Sequence, residues 1–180
     1  DAGAARPYDS AYVPASTNTF TNGVLQFAAY EGDWPWVPEL SALSAVSTGM
    51  VAGLDLSVRS RDTNFGIAFS GYLSIPGDAD YTFYLTSDSG AHFRIHEATV
   101  IDGDFNHTGS EVSGNIRLKA GRHPFRLYYR HGSGTQLLNL KYSAIGIPKQ
   151  DFPPTSFSLA GIADSRPDAL DDHAGTAQNS

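Results

Sequence analysis

Polar and apolar residues alternate along most of the chain. Tyr81-Thr82-Phe83-Tyr84-Leu85-Thr86 is the clearest case. Its β-branched and aromatic side chains suit a pleated, half-buried strand. Ser87-Asp88-Ser89-Gly90 follows. It reads as a tight turn, where Gly permits positive φ and Ser and Asp bond their own backbone. Residues 91–96 alternate again. The same period marks residues 24–30, 53–59, 65–75 (with a bend at Gly71), 115–119, 123–130 and 138–142. Glu31 to Pro38 carries the Gly and Pro residues that stop a strand, and residues 39–47 read as a short polar helix or turn. Strands separated by turn signals, with almost no helical period, predict an all-β fold: a twisted antiparallel β-sandwich with long loops at one end.

The pattern is weak at both ends. Residues 1–22 read as an N-terminal linker or edge-covering segment and residues 158–180 as a flexible tail, leaving a sandwich over 23–157. Linker-like ends lead us to expect an excised piece of a longer protein. Composition adds limits rather than detail. At 180 residues the chain is one ordinary domain, which buries about 70% of its unfolded surface. A formal net charge of −7 argues against nucleic acid or an anionic membrane as partner, since both need a basic face. The chain has no cysteine, so disulfides and thiol chemistry are excluded. No apolar run approaches the ~20 residues of a spanning helix.

Candidate chemistry gathers after the turn at Asp88. Asp102, Asp104 and Asn106 stand at every second position of what reads as a loop, a spacing that suits hard cations such as calcium. The run is not an EF-hand, because His107 stands where Gly is needed and Ser113 where Glu is needed. His92 and His96 would lie ~13 Å apart on a strand, too far for one ion. Neither a nucleophile elbow nor a phosphate loop occurs. Of the aromatic residues Tyr30, Trp34, Trp36 and Tyr129, Trp36 is the one we carry forward as a stacking surface for a sugar, and Trp34 reads as core.

The order of several segments resembles the protective-antigen domain family, also called the PA-fourteen domain. These are YEGDW at Tyr30 to Trp34, FSGYLSIP at Phe69 to Pro76, YTFYLTSDSG at Tyr81 to Gly90, LKAGRHPFRLYY at Leu118 to Tyr129 and GIPKQ at Gly146 to Gln150. The resemblance implies a β-sandwich and a non-catalytic, carbohydrate-binding accessory module of a secreted multidomain glycan-active enzyme. The implied partners are a glycan or polysaccharide and the neighbouring domains of the parent chain, with the module itself a monomer. The place is secreted, periplasmic or cell-surface. In flocculin-like members an adjacent pair of Asp residues holds calcium and contacts the sugar. That pair falls on Asp88-Ser89, where one acid is replaced. The expected sugar site is therefore Asp88, Ser89, His92, Arg94, Asp102, Asp104, Asn106, His107 and Trp36. Calcium, if taken, would fall to Asp88, Asp102, Asp104 and Asn106. The rival expectations are a structural or interaction domain that binds no glycan, and a calcium-dependent adhesin-like domain.

Overall fold

The alternating segments become strands, and their apolar faces meet between two sheets. The structure, a computed structural model, describes residues 19–104 and 109–161. The strands are β1 (Phe20–Asn22), β2 (Leu25–Glu31), β3 (Ser47–Val51), β4 (Phe65–Ile75), β5 (Ala79–Ser87), β6 (Gly90–Ile95), β7 (Ala98–Gly103), β8 (Glu111–Leu118), β9 (Gly121–His131), β10 (Leu138–Ala144), β11 (Ile147–Asp151) and β12 (Phe157–Ala160). Among the described residues they form an eight-stranded and a four-stranded sheet. The larger runs β1-β12-β4-β9-β6-β7, with β2 paired to β4 and β3 paired to β2. The smaller runs β11-β10-β5-β8. All the pairs are antiparallel, as the sequence pattern predicts for a sandwich.

The inner faces supply the main core. Phe65, Ile67, Phe69 and Leu73 of β4 are fully buried, as are Phe93 and Ile95 of β6 and Leu127 and Tyr129 of β9. They meet Tyr81, Phe83 and Leu85 of β5 and Leu140 and Tyr142 of β10. Each large apolar side chain so buried contributes about 1.5–3 kcal/mol. A second, smaller core lies outside the larger sheet. There Val37 and Leu40, from the loop after β2, pack with Tyr30 and Tyr128, and Trp34, Ala28 and Ala68 close around them. One loop thus covers part of the sheet's outer face.

Several segments differ from the sequence expectation. The sandwich extends past 23–157 at both ends, because β1 and β12 pair with each other and Gly161 N donates to Thr19 O at 2.6 Å. Residues 1–18 and 162–180, the bulk of the predicted linker and tail, lie outside the described residues. Residues 53–59 form no strand. Leu56–Val58 is a 3-10 turn, with the Asp55 side chain accepting from Ser57 N at 2.8 Å. Leu54, Leu56 and Val58 still pack against the core, so a two-residue period arises there without a sheet. The predicted turn after residue 39 is a single 3-10 turn at Leu40–Ala42. Asp102 belongs to strand β7 and pairs with His92, rather than to a loop.

Candidate functional site

The loops at one end of the sandwich converge around the crossing from β5 to β6. This crossing carries the chain from the smaller sheet to the larger. Asp88 sits at it, with its side chain 14% exposed and turned inward. Oδ1 accepts from Tyr129 Oη at 2.5 Å and from Leu137 N at 2.9 Å. Oδ2 accepts from Ser89 Oγ at 2.7 Å and from His131 Nδ1 at 2.6 Å. A carboxylate only accepts, so His131 carries its proton on Nδ1. Asp88 N also donates to Leu137 O at 3.1 Å. Tyr129 and His131 lie on β9, and Leu137 just precedes β10. One carboxylate therefore ties the two sheets together at this end.

The electrostatics follow from that geometry. Burial would raise the Asp88 carboxyl. The hydrogen bonds from Tyr129, Ser89, the Leu137 amide and His131 together outweigh it and hold the pKa below the usual carboxylate value. Burial first, and then the Asp88 hydrogen bond and charge, push the Tyr129 phenol far up, so it stays a donor.

The remaining candidates face the other way, on the outer surface of the larger sheet. His92 lies in a row with Tyr128 of β9 and Asp102 of β7. Arg94, two residues on, reaches Glu39 at 3.8 Å. Asp104 N donates to Asp102 Oδ1 at 3.2 Å. The Asp104 carboxyl is raised by burial and then by Asp102, while the Val37 backbone amide that donates to it works in the opposite direction. Trp36, next to Val37, is 58% exposed. Gly90 is a point of close approach: a Cβ there would come within 3.2 Å of both Asp104 O and Val37 Cγ2. The Trp36 loop, the β5–β6 turn and the end of β7 thus touch one another.

The structure divides the predicted site into two groups. His92, Arg94, Asp102, Asp104 and Trp36 share the outer face. Asp88 and Ser89 belong to an internal network, and Ser89 Oγ also accepts from Gly132 N at 3.3 Å. Asn106 and His107 lie outside the described residues. The predicted aromatic platform shrinks to Trp36, because Tyr30 and Tyr129 are buried and Trp34 fills the second core. The residues at the β5–β6 crossing do not fit a calcium ion. Both Asp88 oxygens already accept two hydrogen bonds, and an ion would have to displace them. Among the described residues no three His, Asp or Glu side chains group closely enough to hold a metal. Sequence reasoning missed His131 as a partner of Asp88. Its signal was a polar residue on the inward phase of β9, two after Tyr129.

Burial first, and then Arg94, lowers the His92 pKa. Burial and then His123 lower that of His96, whose Nε2 lies 2.9 Å from His123 Nδ1. A histidine whose folded pKa is depressed binds fewer protons folded than unfolded. Stability then falls as pH drops below about 6.5, the unfolded value, through the lowered folded values. Thermal melts at pH 7.5 and 5.0 should show the lower midpoint at pH 5.0. The difference should shrink in a His92→Gln, His96→Gln double variant. An unchanged difference contradicts the assignment.

A β-sandwich with loops gathered at one end, beside an exposed tryptophan and paired carboxylates, belongs to the class of surface binding modules. The chain is a member of the PA14 domain family, whose model matches residues 59–154. Membership of that family makes the segment a non-catalytic module. It superposes on the PA14 domain of the MpAFP antifreeze protein with a TM-score of 0.66 at 18% identity, over 84% of this chain and 98% of that one. For the PA14 sugar-binding domain of an RTX adhesin the TM-score is 0.63 at 16% identity, over 78% and 100%. An anti-sigma factor domain-containing protein from Clostridium clariflavum gives 0.61 at 21% identity, over 82% of this chain. The chain spans about half, 51%, of that protein's solved length. At these identities the likeness shows the fold. No curated protein sequence matches.

Proposed function

We propose that the chain is a carbohydrate-binding module that takes a glycan on the outer face at the loop end, beside Trp36. The observation that carries this is an exposed tryptophan, Trp36, one residue before Val37, whose backbone amide donates to Asp104 on the face that also carries Asp102 and His92. A sugar ring offers an apolar C–H face and a rim of hydroxyls. An exposed aromatic face packs on the first, while carboxylates and an imidazole bond the second. Arg94 and Glu39, side by side, extend the polar rim. Asp88 and Ser89 take no direct part; they hold the β5–β6 crossing on which the site rests. Binding at this face does not call on calcium. The fold of a sugar-binding adhesin domain supports the ligand class. The module would work outside the cell or at its surface, as part of a secreted multidomain glycan-active protein. Among the described residues no helix is long and apolar enough to cross a membrane.

A glycan array with the labelled chain in EDTA tests this. Neutral or acidic glycans should be captured, and Trp36→Ala should weaken the best of them at least tenfold, about 1.4 kcal/mol. Asp102→Asn should weaken it by less, because one oxygen acceptor remains. A blank array, or capture indifferent to Trp36→Ala, rejects the reading. The rival reading is a spacer or interaction domain. In its favour, Leu43, Val46 and Met50 are exposed on and before edge strand β3. It requires a blank array, so the same measurement separates the two.

A further inference from the structure

Strand β4 changes partner along its length. Residues up to Ser70 pair with β2 and residues from Tyr72 with β12. Gly71 stands at the seam, where a Cβ would come 2.7 Å from Leu25 Cδ2 and 2.9 Å from Ser158 O. Gly23 N donates to Phe157 O at 2.7 Å beside it. On the outer face a trough of about 470 Å³ lies over this seam, away from the loop end. Its size falls in the ~300–1,000 Å³ range of small-molecule sites.

We propose that this trough is a second saccharide-binding site, which takes a short neutral oligosaccharide. Gln26, Ser70, Tyr72, His96, Glu97 and Arg126 line it. Gln26 and Arg126 flank Ser70 on the two neighbouring strands, so amide, hydroxyl and guanidinium form one polar row about 10 Å long. Arg126 Nη2 donates to Glu97 Oε1 and Oε2 at 3.3 and 3.1 Å. The pair sets donors next to acceptors, which is the complement of neighbouring sugar hydroxyls. Its charges cancel, so the trough favours a neutral ligand over an anion. Glu97 is 83% exposed, and such an exposed pair is weak enough to rearrange around a ligand. Tyr72 supplies the aromatic wall. Its ring is fixed edge-on by Phe20, at 5.1 Å between centroids and 75° between planes. Ser70, Gly71 and Pro124 are small enough to leave the floor low. The saccharide class rests on the reading of the chain as a glycan-binding module, whereas the trough itself stands on the seam.

The test is a nitrogen-15 NMR titration of the whole chain with lactose, cellohexaose, xylohexaose and maltohexaose at millimolar concentration. At least one probe should shift the amides of Gln26, Ser70, Tyr72 and Arg126. Gln26→Ala and Arg126→Ala should each weaken that response at least fivefold, and Trp36→Ala should leave it unchanged. Both trough variants change outer-face side chains, and their spectra report whether they fold. Shifts confined to Gly90, His92 and Gly103 overturn the trough and leave the loop-end site standing. Shifts confined to the trough support it. No shift with any probe overturns the trough, as do trough shifts unmoved by Gln26→Ala and Arg126→Ala, while the loop-end site is decided separately by the array, which includes acidic glycans.

Discussion

Replacing Asp88 by alanine should lower the melting temperature by about 10 °C or more. The substitution leaves four donors without an acceptor: Tyr129 Oη, His131 Nδ1, Ser89 Oγ and Leu137 N. Two of them belong to buried side chains, Tyr129 at 0% and His131 at 1% exposure. Removing one side of such a buried, charge-assisted set costs roughly 3–5 kcal/mol. In a domain of this size each kcal/mol is worth about 3 °C. Asp88→Asn should cost less, because the amide oxygen still accepts. The lowered Asp88 pKa adds a pH dependence. Its contribution is present above the unfolded value of about 3.9 and is lost as pH falls through the lower folded value. A residue whose main work was to meet a sugar or an ion would behave otherwise. Its removal would leave the melting temperature unchanged or raise it while abolishing binding. A melt of Asp88→Ala within 2 °C of the parent would dismiss the internal role.

Gly114→Ala should be nearly as damaging, although it adds one methyl group. Gly114 lies in β8, opposite Phe83 of β5. Across from it, β7 carries a bulge: Phe93 pairs with Ile101 and Arg94 with Thr99, so Val100 is the extra residue. Bulges bend a strand and sharpen its twist, and this one brings the Val100 carbonyl onto the smaller sheet. A Cβ on Gly114 would stand 2.0 Å from Val100 O and 2.9 Å from Val100 C. Backbone cannot swing away as a side chain does, so β7 and β8 must part. Overpacking of this kind costs about 1–3 kcal/mol and more where backbone has to move. We expect the alanine variant to melt at least 6 °C lower and the valine variant to fail to fold, as judged by circular dichroism and calorimetry. Gly132→Ala, where an added Cβ meets nothing within 4 Å, is the control and should change little.

The two variants also mark what could be read from sequence. Strands β5, β6 and β9 were legible because they alternate against a core on one face only. Residues 53–59 misled because Leu54, Leu56 and Val58 reach the core from a turn, and spacing alone does not separate the two geometries. Strand β3 was invisible: Ser47-Thr48-Gly49-Met50-Val51 is an edge with little to bury. Gly114 lay before the strand as first bounded, and only the extension of β8 to Glu111 makes it an interior glycine with a close neighbour. At the site, the two-residue period of β6 is enough to put His92 and Arg94 on one face, and strand pairing brings Asp102 beside His92. The inward turn of Asp88 was not legible, because it depends on Tyr129, His131 and Leu137, some 40 to 50 residues away. A long-range acceptor network has no local period to betray it.

The hydrogen bond between Gly161 and Thr19 carries a practical consequence. The ends of the described fold leave from one spot, as adjacent antiparallel strands, instead of from opposite poles. Two ends so close need no long tether to join other chain. The whole sandwich is therefore suited to being spliced into a surface loop of a carrier protein, held at two points, with the carrier's loop ends barely moved. Mounted that way, the carrier would border the trough over the Gly71 seam, because Leu159 and Ala160 line it beside the junction.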